Sequence, residues 1–157
     1  VCSSDLHYSF ILMTNTVKIS CQLSTTDATC PLGFEAWIND HKFFDTDHVT
    51  ETQTISVEIA DVDAEHELRF VLKNKLESHT KIDDTGHIIS DARLTVTDLA
   101  FDEIQLGYMV SEQAVYTHDC NGTAPLGQHR FYGEMGCNGT VSLPFTTPIY
   151  LWLLEYM

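Results

Sequence analysis

Hydrophobic and polar residues alternate with a period of two over several short stretches of the chain. In the first stretch, 16–23, every second residue is apolar, and the apolar set is Val17, Ile19, Cys21 and Leu23. Side chains of a β-strand point alternately to the two faces of the sheet, so this pattern is typical of a strand with one face in a core. We therefore expect a half-buried strand near the start of the chain.

The same alternation returns in five later stretches. Their apolar positions are Phe34, Ala36 and Ile38; Ile55, Val57 and Ile59; Leu68, Phe70 and Leu72; Ala92, Leu94 and Val96; and Val141, Leu143 and Phe145. Turn-forming residues stand between stretches, at Asn39-Asp40, Asp61–Glu65, Asp83–Gly86 and Asn138-Gly139. Because no long segment has a helical period, the sequence predicts an all-β fold, a single antiparallel β-sandwich of the jelly-roll or carbohydrate-binding-module-like type.

The last residues follow a different period. Thr147 and Pro148 fit an N-cap and first helical position, and an apolar stripe with helical spacing follows at Ile149, Trp152, Leu153 and Tyr156. Leu151 and Leu154 make the opposite side apolar as well. The pattern predicts a short apolar C-terminal helix, with a final strand as the alternative. We expect this segment to be buried, on its own sandwich or in a contact with a second copy or another protein.

The first residues carry a separate expectation. The hexapeptide Val1–Leu6 resembles a translated sequencing-adapter remnant, and Met13 directly precedes the first alternating stretch. We therefore expect residues 1–12 to be a non-native leader and residues 13–157 to form one β-sandwich domain. The short apolar run 8–13 lacks the basic start and small-residue cleavage site of a secretory signal. No stretch reaches the roughly 18 apolar residues of a membrane span, so no membrane partner is predicted.

Charge narrows the choice of partner. The 157 residues include 23 acidic and 8 Lys or Arg side chains, a formal net charge of −15. Phosphate backbones and anionic lipids are bound through Lys and Arg, so a nucleic-acid partner is not expected. With 43% hydrophobic residues the composition is that of a folded chain.

Acidic clusters and exposed aromatic residues are the candidate ligand-binding groups. Seven carboxylates in apparent loops could gather around Ca²⁺, a cation that prefers oxygen ligands: Asp45, Asp47, Asp61, Asp63, Glu65, Asp83 and Asp84. The alternative is that they are solvated turns, since no complete EF-hand loop is present. Sugar rings stack on aromatic side chains, and the candidates for such a contact are Trp37, Tyr108, Tyr116 and Tyr132. Trp37 alternates out of phase with the apolar set of its strand, which favours an outward ring, although it could also pack beneath a loop.

Cysteine spacing gives no metal motif. Cysteines stand at positions 2, 21, 30, 120 and 137, without a C-x-x-C pair. Cys120 and Cys137 each begin a Cys-Asn-Gly-Thr sequence. A disulfide between them requires an oxidising compartment, so reduced thiols are favoured in the absence of a recognisable signal peptide. The two Asn-Gly-Thr triplets also match the glycosylation acceptor pattern, but Asn-Gly more often forms a tight turn.

No catalytic arrangement is recognisable. The 8 His residues are scattered, and neither a His-Glu-x-x-His motif nor a Gly-x-Ser-x-Gly elbow is present. We therefore predict no catalytic residues. A glycan-acting hydrolase stays as an alternative, because the separation of two carboxylates is a property of the fold.

Segments in the middle and at the end of the chain resemble those of small β-sandwich proteins of T4-like tailed phages, especially marine cyanophages. The resemblance extends over about residues 16–157, and the segments that carry it are Glu65–Leu68, Leu72–Lys75, Asp84–Asp91, Phe131–Gly133, Met135–Thr140 and Phe145–Glu155. It implies a virus-encoded protein that adheres to a host surface or belongs to the virion, and no catalytic residues are known to carry over. The expected location is then the virion or the infected host's cytoplasm, with other virion proteins or host-surface polysaccharide as partners.

The sequence thus predicts a non-enzymatic binding or virion-associated structural module. A calcium-assisted carbohydrate-binding module is the alternative.

Overall fold

The computed structural model describes residues 15–157. The expectations about the leader and about Met13 fall on residues 1–14 and lie outside the described part. The thirteen strands of that part are β1 (Thr16–Thr25), β2 (Gly33–Ile38), β3 (His41–Thr46), β4 (Gln53–Ala60), β5 (Ala64–Lys73), β6 (Thr80–Ile82), β7 (Ile88–Asp91), β8 (Leu94–Phe101), β9 (Ile104–Gln105), β10 (Val115–His118), β11 (Gly127–Arg130), β12 (Glu134–Met135) and β13 (Gly139–Thr147). Two short helices, α1 (Met109–Gln113) and α2 (Ile149–Tyr156), and a 3₁₀ turn, Glu77–His79, complete it.

The strands form two packed antiparallel sheets, so the predicted β-sandwich is confirmed. The first sheet has the order β12-β8-β1-β4, with β9 added beside β8, and the second has the order β11-β10-β13-β5-β2-β3. A separate hairpin joins β6 and β7. Loops connect the strands of the two sheets, and such loops commonly hold binding residues on a rigid scaffold.

The core lies between the sheets and is made by the predicted alternating positions. On β1 the apolar face is nearly inaccessible, with Val17 and Leu23 at 0% exposure, while the polar residues between them are exposed or half-buried. Phe34 of β2 stacks on Phe70 of β5 with ring centroids 5.6 Å apart. Burying a side chain of this size contributes roughly 1.5–3 kcal/mol, so the apolar face of each strand fixes its register.

Several predicted turns are confirmed and one is wrong. Asn39, with φ of 53°, joins β2 to β3, and Gly86, with φ of 87°, lies in the β6–β7 turn. Asn138-Gly139 is not a hairpin turn, because Gly139 already belongs to β13 and pairs with His118. A Cβ on Gly139 would clash with the Thr117 carbonyl oxygen. The glycine is required for close strand approach and not for a turn.

The C-terminal helix is confirmed, and its buried side packs on its own sandwich. Trp152 of α2 contacts Phe101 and Phe145, with ring centroids 5.7 and 6.3 Å apart. The opposite side is exposed, with Leu151 at 65% and Leu154 at 77%. A contact of this exposed side with a second copy or another protein stays a prediction. Within the described residues, no helix is long and apolar enough to cross a bilayer.

The predicted start of that helix is wrong in one detail. Thr147 is not the cap but the buried last residue of β13, and Pro148 precedes the helix. The first helical amide, that of Ile149, donates instead to the Asp61 Oδ1 atom at 2.8 Å. A carboxylate from a neighbouring loop thus satisfies an amide that has no partner within the helix.

Candidate functional site

The structure brings Tyr108 and Tyr132 to one cleft at the edge of the first sheet. Their side chains are among the most exposed large ones of the described chain, at 66% and 74%. We call this site the tyrosine cleft, and it is lined by Val96, Thr97, Asp98, Leu99, Gln105, Gly107, Tyr108, Val110, Ser111, Phe131, Tyr132 and Gly133. Its volume is about 360 Å³, at the small end of the range for ligand sites.

Both tyrosines project from backbone that is fixed by buried neighbours. Tyr108 directly precedes α1, whose first residue Met109 is buried, and its carbonyl accepts hydrogen bonds from the Ser111 amide and hydroxyl. Tyr132 follows the buried Phe131 and precedes Gly133, whose carbonyl accepts the Val96 amide proton at 2.8 Å. Exposed rings on anchored backbone lose little entropy when a ligand binds, which favours stacking.

A β-bulge places a carboxylate at the same cleft. Ser20 of β1 pairs with Ala100 of β8 and Gln22 pairs with Thr97, so two residues of β8, Asp98 and Leu99, oppose one residue of β1. Asp98 adopts a left-handed backbone conformation, with φ of 55°. A bulge of this kind re-aims side chains. Here Leu99 enters the core while Thr97 and Asp98 are exposed at the cleft.

The chemistry of the cleft suits an uncharged ligand with both polar and apolar faces. Thr97, Gln105 and Ser111 offer hydroxyl and amide groups, beside the two phenol rings. Asp98 is the only charged residue among the described residues of the lining. A sugar presents hydroxyl groups around its edge and C–H groups on its faces, which matches such a mixture.

Tyr116, the third predicted tyrosine, is not a surface residue. It is 6% exposed and lies edge-on to Phe131, with ring centroids 6.1 Å apart. Its hydroxyl accepts a hydrogen bond from the Cys137 amide at 3.0 Å and donates one to the Cys137 carbonyl. The ligand-binding prediction for Tyr116 is therefore wrong, because the strand β10 turns this ring into the core.

Trp37 lies on the outer face of the second sheet, as its phase predicts, but its binding groups are already used. The indole N–H donates to Glu35 Oε1 at 2.9 Å. Arg69 Cζ and Lys42 Nζ lie 5.2 and 5.6 Å from the ring centroid. Such cation–π contacts contribute about 0.5–1 kcal/mol at exposed sites and compete with a ligand for the ring. The tyrosine cleft is therefore the better site.

Next to Trp37, one lysine gathers three carboxylates. Lys73 Nζ lies 3.1 Å from Glu35 Oε2, 2.7 Å from Asp45 Oδ1 and 3.3 Å from Asp47 Oδ1. These contacts raise the pKa of Lys73, with Asp45 making the largest contribution. Hydrogen bonds from Lys42 and then Lys73 lower the pKa of Asp45. The Lys73 ammonium thus bridges Asp45 and Asp47 and offsets part of their negative charge.

This cluster predicts a loss of stability in acid. Because the pKa of Asp45 is lower in the folded protein, the unfolded chain binds more protons as the pH falls, and the free energy of unfolding decreases. The contribution is complete above about pH 5 and is lost as the pH drops through the folded-state pKa. Urea titrations at several pH values should show a weaker acid dependence in Asp45→Asn than in the wild type. An unchanged dependence would contradict the assignment.

The other predicted metal ligands do not converge. Asp61 accepts the Ile149 amide, and Asp83 Oδ1 accepts the amides of Thr85 and His87 at 2.9 Å, while Asp63, Glu65 and Asp84 are exposed. Within residues 15–157, no group of three or more His, Cys, Asp or Glu side chains is placed to hold one metal ion. The structure does not assemble the predicted set Asp45, Asp47, Asp61, Asp63, Glu65, Asp83 and Asp84, because these side chains lie on different strands and loops and several are bonded internally.

His66 and His118 make local structural contacts. His66 contacts Asn39 and Thr147 at 3.0 and 2.9 Å, and burial lowers its pKa. His118 Nδ1 accepts the Cys120 amide, and its ring stacks on His129. None of these contacts joins an imidazole to the tyrosine cleft. As far as the described lining of that cleft goes, it contains no histidine.

Sequence reasoning missed the polar half of the cleft, although the sequence holds a signal for it. The inward positions of β8 are Leu94 and Val96, then Leu99 and Phe101, so the apolar phase shifts from even to odd numbers. A shift of this kind indicates an extra residue in the strand, which is a bulge. It points to Thr97 and Asp98 as the residues turned outward. No comparable signal marks Gln105 or Ser111.

Comparison with known proteins gives a likeness of fold. No protein-family model and no curated protein sequence matches the chain. Among solved structures, the chain is similar to vCBM60 in its selenomethionine form, described with two families of calcium-dependent carbohydrate binding modules. The TM-score is 0.52 at 12% identity, over 81% of this chain and 89% of that one. A vCBM60 complex with galactobiose matches with a TM-score of 0.45 at 15% identity, over 80% and 96%.

Proposed function

We propose that this protein is a non-catalytic carbohydrate-binding module that holds an uncharged sugar in the tyrosine cleft. The observation that carries the proposal is the convergence of two exposed rings, Tyr108 and Tyr132, with hydroxyl, amide and carboxylate groups in one small cleft. The fold likeness to vCBM60 supports it, because that protein is described as a carbohydrate-binding module.

The negative charge of the cleft and of the whole chain favours neutral over acidic glycans. Asp98 stands alone as the charged group among the described residues of the lining, and the whole chain carries a formal charge of −15. An anionic sugar such as a uronate would meet a carboxylate without a compensating cation, which is unfavourable. The favoured ligand class is therefore neutral polysaccharide.

The test is a binding comparison between neutral and acidic polymers. Affinity electrophoresis or calorimetry with neutral glucans, galactans and xylans should show saturable binding to at least one of them. Alginate and polygalacturonate should be bound less tightly at physiological salt. Binding of acidic polymers alone, or of none of these glycans, would overturn the proposal.

The cleft supports binding without bond cleavage. Glycosidases of the usual type use two carboxyl groups that flank the scissile bond. Asp98 is the single carboxylate among the described lining residues of the tyrosine cleft. The proposal therefore includes no hydrolysis, and release of reducing sugar from a bound polymer would contradict it.

Calcium does not fit the residues as they stand. The vCBM60 structures are described with calcium-dependent modules, but the described residues of this chain hold no group of three suitable ligands. Where carboxylates do converge, at Glu35, Asp45 and Asp47, the ammonium of Lys73 already lies among them. A divalent cation could reach these carboxylates only by displacing the Lys73 ammonium, because two positive charges at this distance repel each other.

We therefore expect sugar binding to be independent of calcium. Affinity for the best neutral glycan should be the same in calcium and in a chelator. Lys73→Met should unpair the three carboxylates, lower the melting temperature and make it rise again on addition of calcium. Lys42→Met, which leaves Lys73 in place, is the matched control and should not respond to calcium. Loss of wild-type glycan binding in chelator would contradict this expectation.

The virion-associated role is a proposal about where the protein works. It rests on the sequence resemblance to tailed-phage proteins. A host-surface adhesion protein would use the same tyrosine cleft on a polysaccharide. Copurification of the chain with phage particles would support this role, and its absence from purified particles would count against it.

A further inference from the structure

The segments that hold Cys120 and Cys137 lie side by side at one end of the β10–β13 strand pair. In the β10–β13 ladder, Thr117 pairs with Thr140 and His118 pairs with Gly139. Cys120 and Cys137 each lie two residues beyond this last pair, Cys120 in a turn with φ of 54° and Cys137 in a bend.

Hydrogen bonds keep the two segments together after the ladder ends. The Asn121 amide group donates to the Gly136 carbonyl at 3.2 Å, and its side-chain oxygen accepts the Asn138 backbone amide at 2.9 Å. The side chain next to Cys120 thus binds the residues on both sides of Cys137. The Tyr116 hydroxyl fixes Cys137 itself, through its amide and its carbonyl.

Both thiols line one cavity, which has a volume of about 830 Å³ and also contains Asp119, Asn138 and Ile88. We call it the cysteine cavity. Both cysteines are half-buried free thiols, so a small reagent can approach them through this cavity. Burial raises the pKa of the Cys137 thiol, and the negative charge of Cys120 raises it further. The second effect agrees with two sulfur atoms that are close neighbours.

The other described cysteines have no such partner arrangement. Cys21 is buried in the core of the first sheet, and burial raises its pKa to about 12. Cys30 lies in the loop between β1 and β2, where its thiol donates to Asp27 Oδ2 at 3.5 Å. Neither residue lines the cysteine cavity.

We propose that Cys120 and Cys137 are a redox site that takes a small disulfide as oxidant. The thiolate of one cysteine attacks the oxidant, forms a mixed disulfide and releases one thiolate. The second cysteine then attacks the protein sulfur atom and releases the other thiolate. The protein loses two electrons and two protons, and the oxidant becomes two thiols.

The bond would act on the tyrosine cleft through the chain. The segment between the two cysteines contains β11, Tyr132 and β12. Closing this segment into a covalent loop restricts its unfolded states and fixes both of its ends. Resting on the proposed function, the oxidised form should hold Tyr132 more firmly and bind neutral glycan more tightly than the reduced form.

The experiment oxidises the full chain with glutathione disulfide near pH 8.5, blocks free thiols and maps the peptides by mass spectrometry. A variant with Cys2→Ser and Cys30→Ser should still form the Cys120–Cys137 link, and dithiothreitol should remove it. The oxidised protein should melt roughly 6–12 °C higher than the reduced one. Cys120→Ser and Cys137→Ser are the controls that should show neither the link nor the shift.

The outcomes separate the two proposals. Glutathione adducts on Cys120 or Cys137 without a link between them, or a link to Cys30, would overturn the redox site. A Cys120–Cys137 link in a protein that binds no glycan would retain the redox site and overturn the proposed function. A link that leaves the affinity for a bound glycan unchanged would overturn the coupling of the two sites.

Discussion

Replacing Tyr132 with alanine should weaken binding of neutral glycan by about 30-fold, which corresponds to roughly 2 kcal/mol for an aromatic hot spot. The ring is 74% exposed and lies at the cleft, so its removal takes away contact area without opening a hole in the core. Tyr108→Ala should have an effect of the same order. Isothermal titration with the best ligand of the neutral panel measures both.

Three controls make this result specific. Tyr132→Phe retains the ring and should bind nearly as well as the wild type if stacking dominates. Tyr150→Ala removes a tyrosine that is 53% exposed on α2, away from the cleft, and should leave the affinity unchanged. All variants should unfold at similar denaturant concentrations, since exposed side chains contribute little to stability. Equal affinities of Tyr132→Ala, Tyr108→Ala and the wild type would show that glycan binds elsewhere.

The fold could be predicted from the sequence because burial acts on each residue locally. In β1, β2, β5 and β13, the apolar residues at every second position are the ones that enter the core. The edge strand β4 follows the pattern less strictly. Val57 and Ile59 are only half-buried, and β4 has a neighbouring strand, β1, on one side only. The alternation of apolar residues therefore predicts which face of a strand points to the core, but not how completely the second sheet covers that face.

The candidate site was predictable only in part, because a site depends on which distant segments meet. Tyr108 and Tyr132 are predicted from their aromatic side chains alone, and the fold then places them together at one cleft. Tyr116 is predicted on the same ground, yet its strand phase turns it inward, where Cys137 binds its hydroxyl. The sequence shows Asp45 and Asp47 as a candidate cation site, but it does not show which cation they bind. In the structure that cation is the Lys73 ammonium, more than twenty positions away in the chain.

A buried ion pair at the cysteine cavity has the largest expected effect on stability. The Lys75 side chain is 1% exposed, and its ammonium lies 2.6 Å from Asp91 Oδ1. The same group donates to the Ala92 carbonyl, and the Thr80 hydroxyl donates to Asp91 Oδ1 at 2.6 Å. Asp91 thus neutralises a charge that water does not reach.

Asp91→Ala should lower the free energy of unfolding by about 3–5 kcal/mol, because it leaves the Lys75 ammonium buried without its counter-charge. Lys75→Met should be less damaging, since Asp91 is partly exposed and regains water when the ammonium is removed. The double variant should recover most of the loss of Asp91→Ala, with a coupling free energy that a double-mutant cycle in urea measures directly. Thr80→Val, which removes one hydrogen bond to the carboxylate, should cost about 1 kcal/mol. Additive effects of the two charge deletions would mean that the pair contributes nothing as a pair, and that Lys75 is held by its backbone hydrogen bonds with Asn138 and by the Ala92 carbonyl.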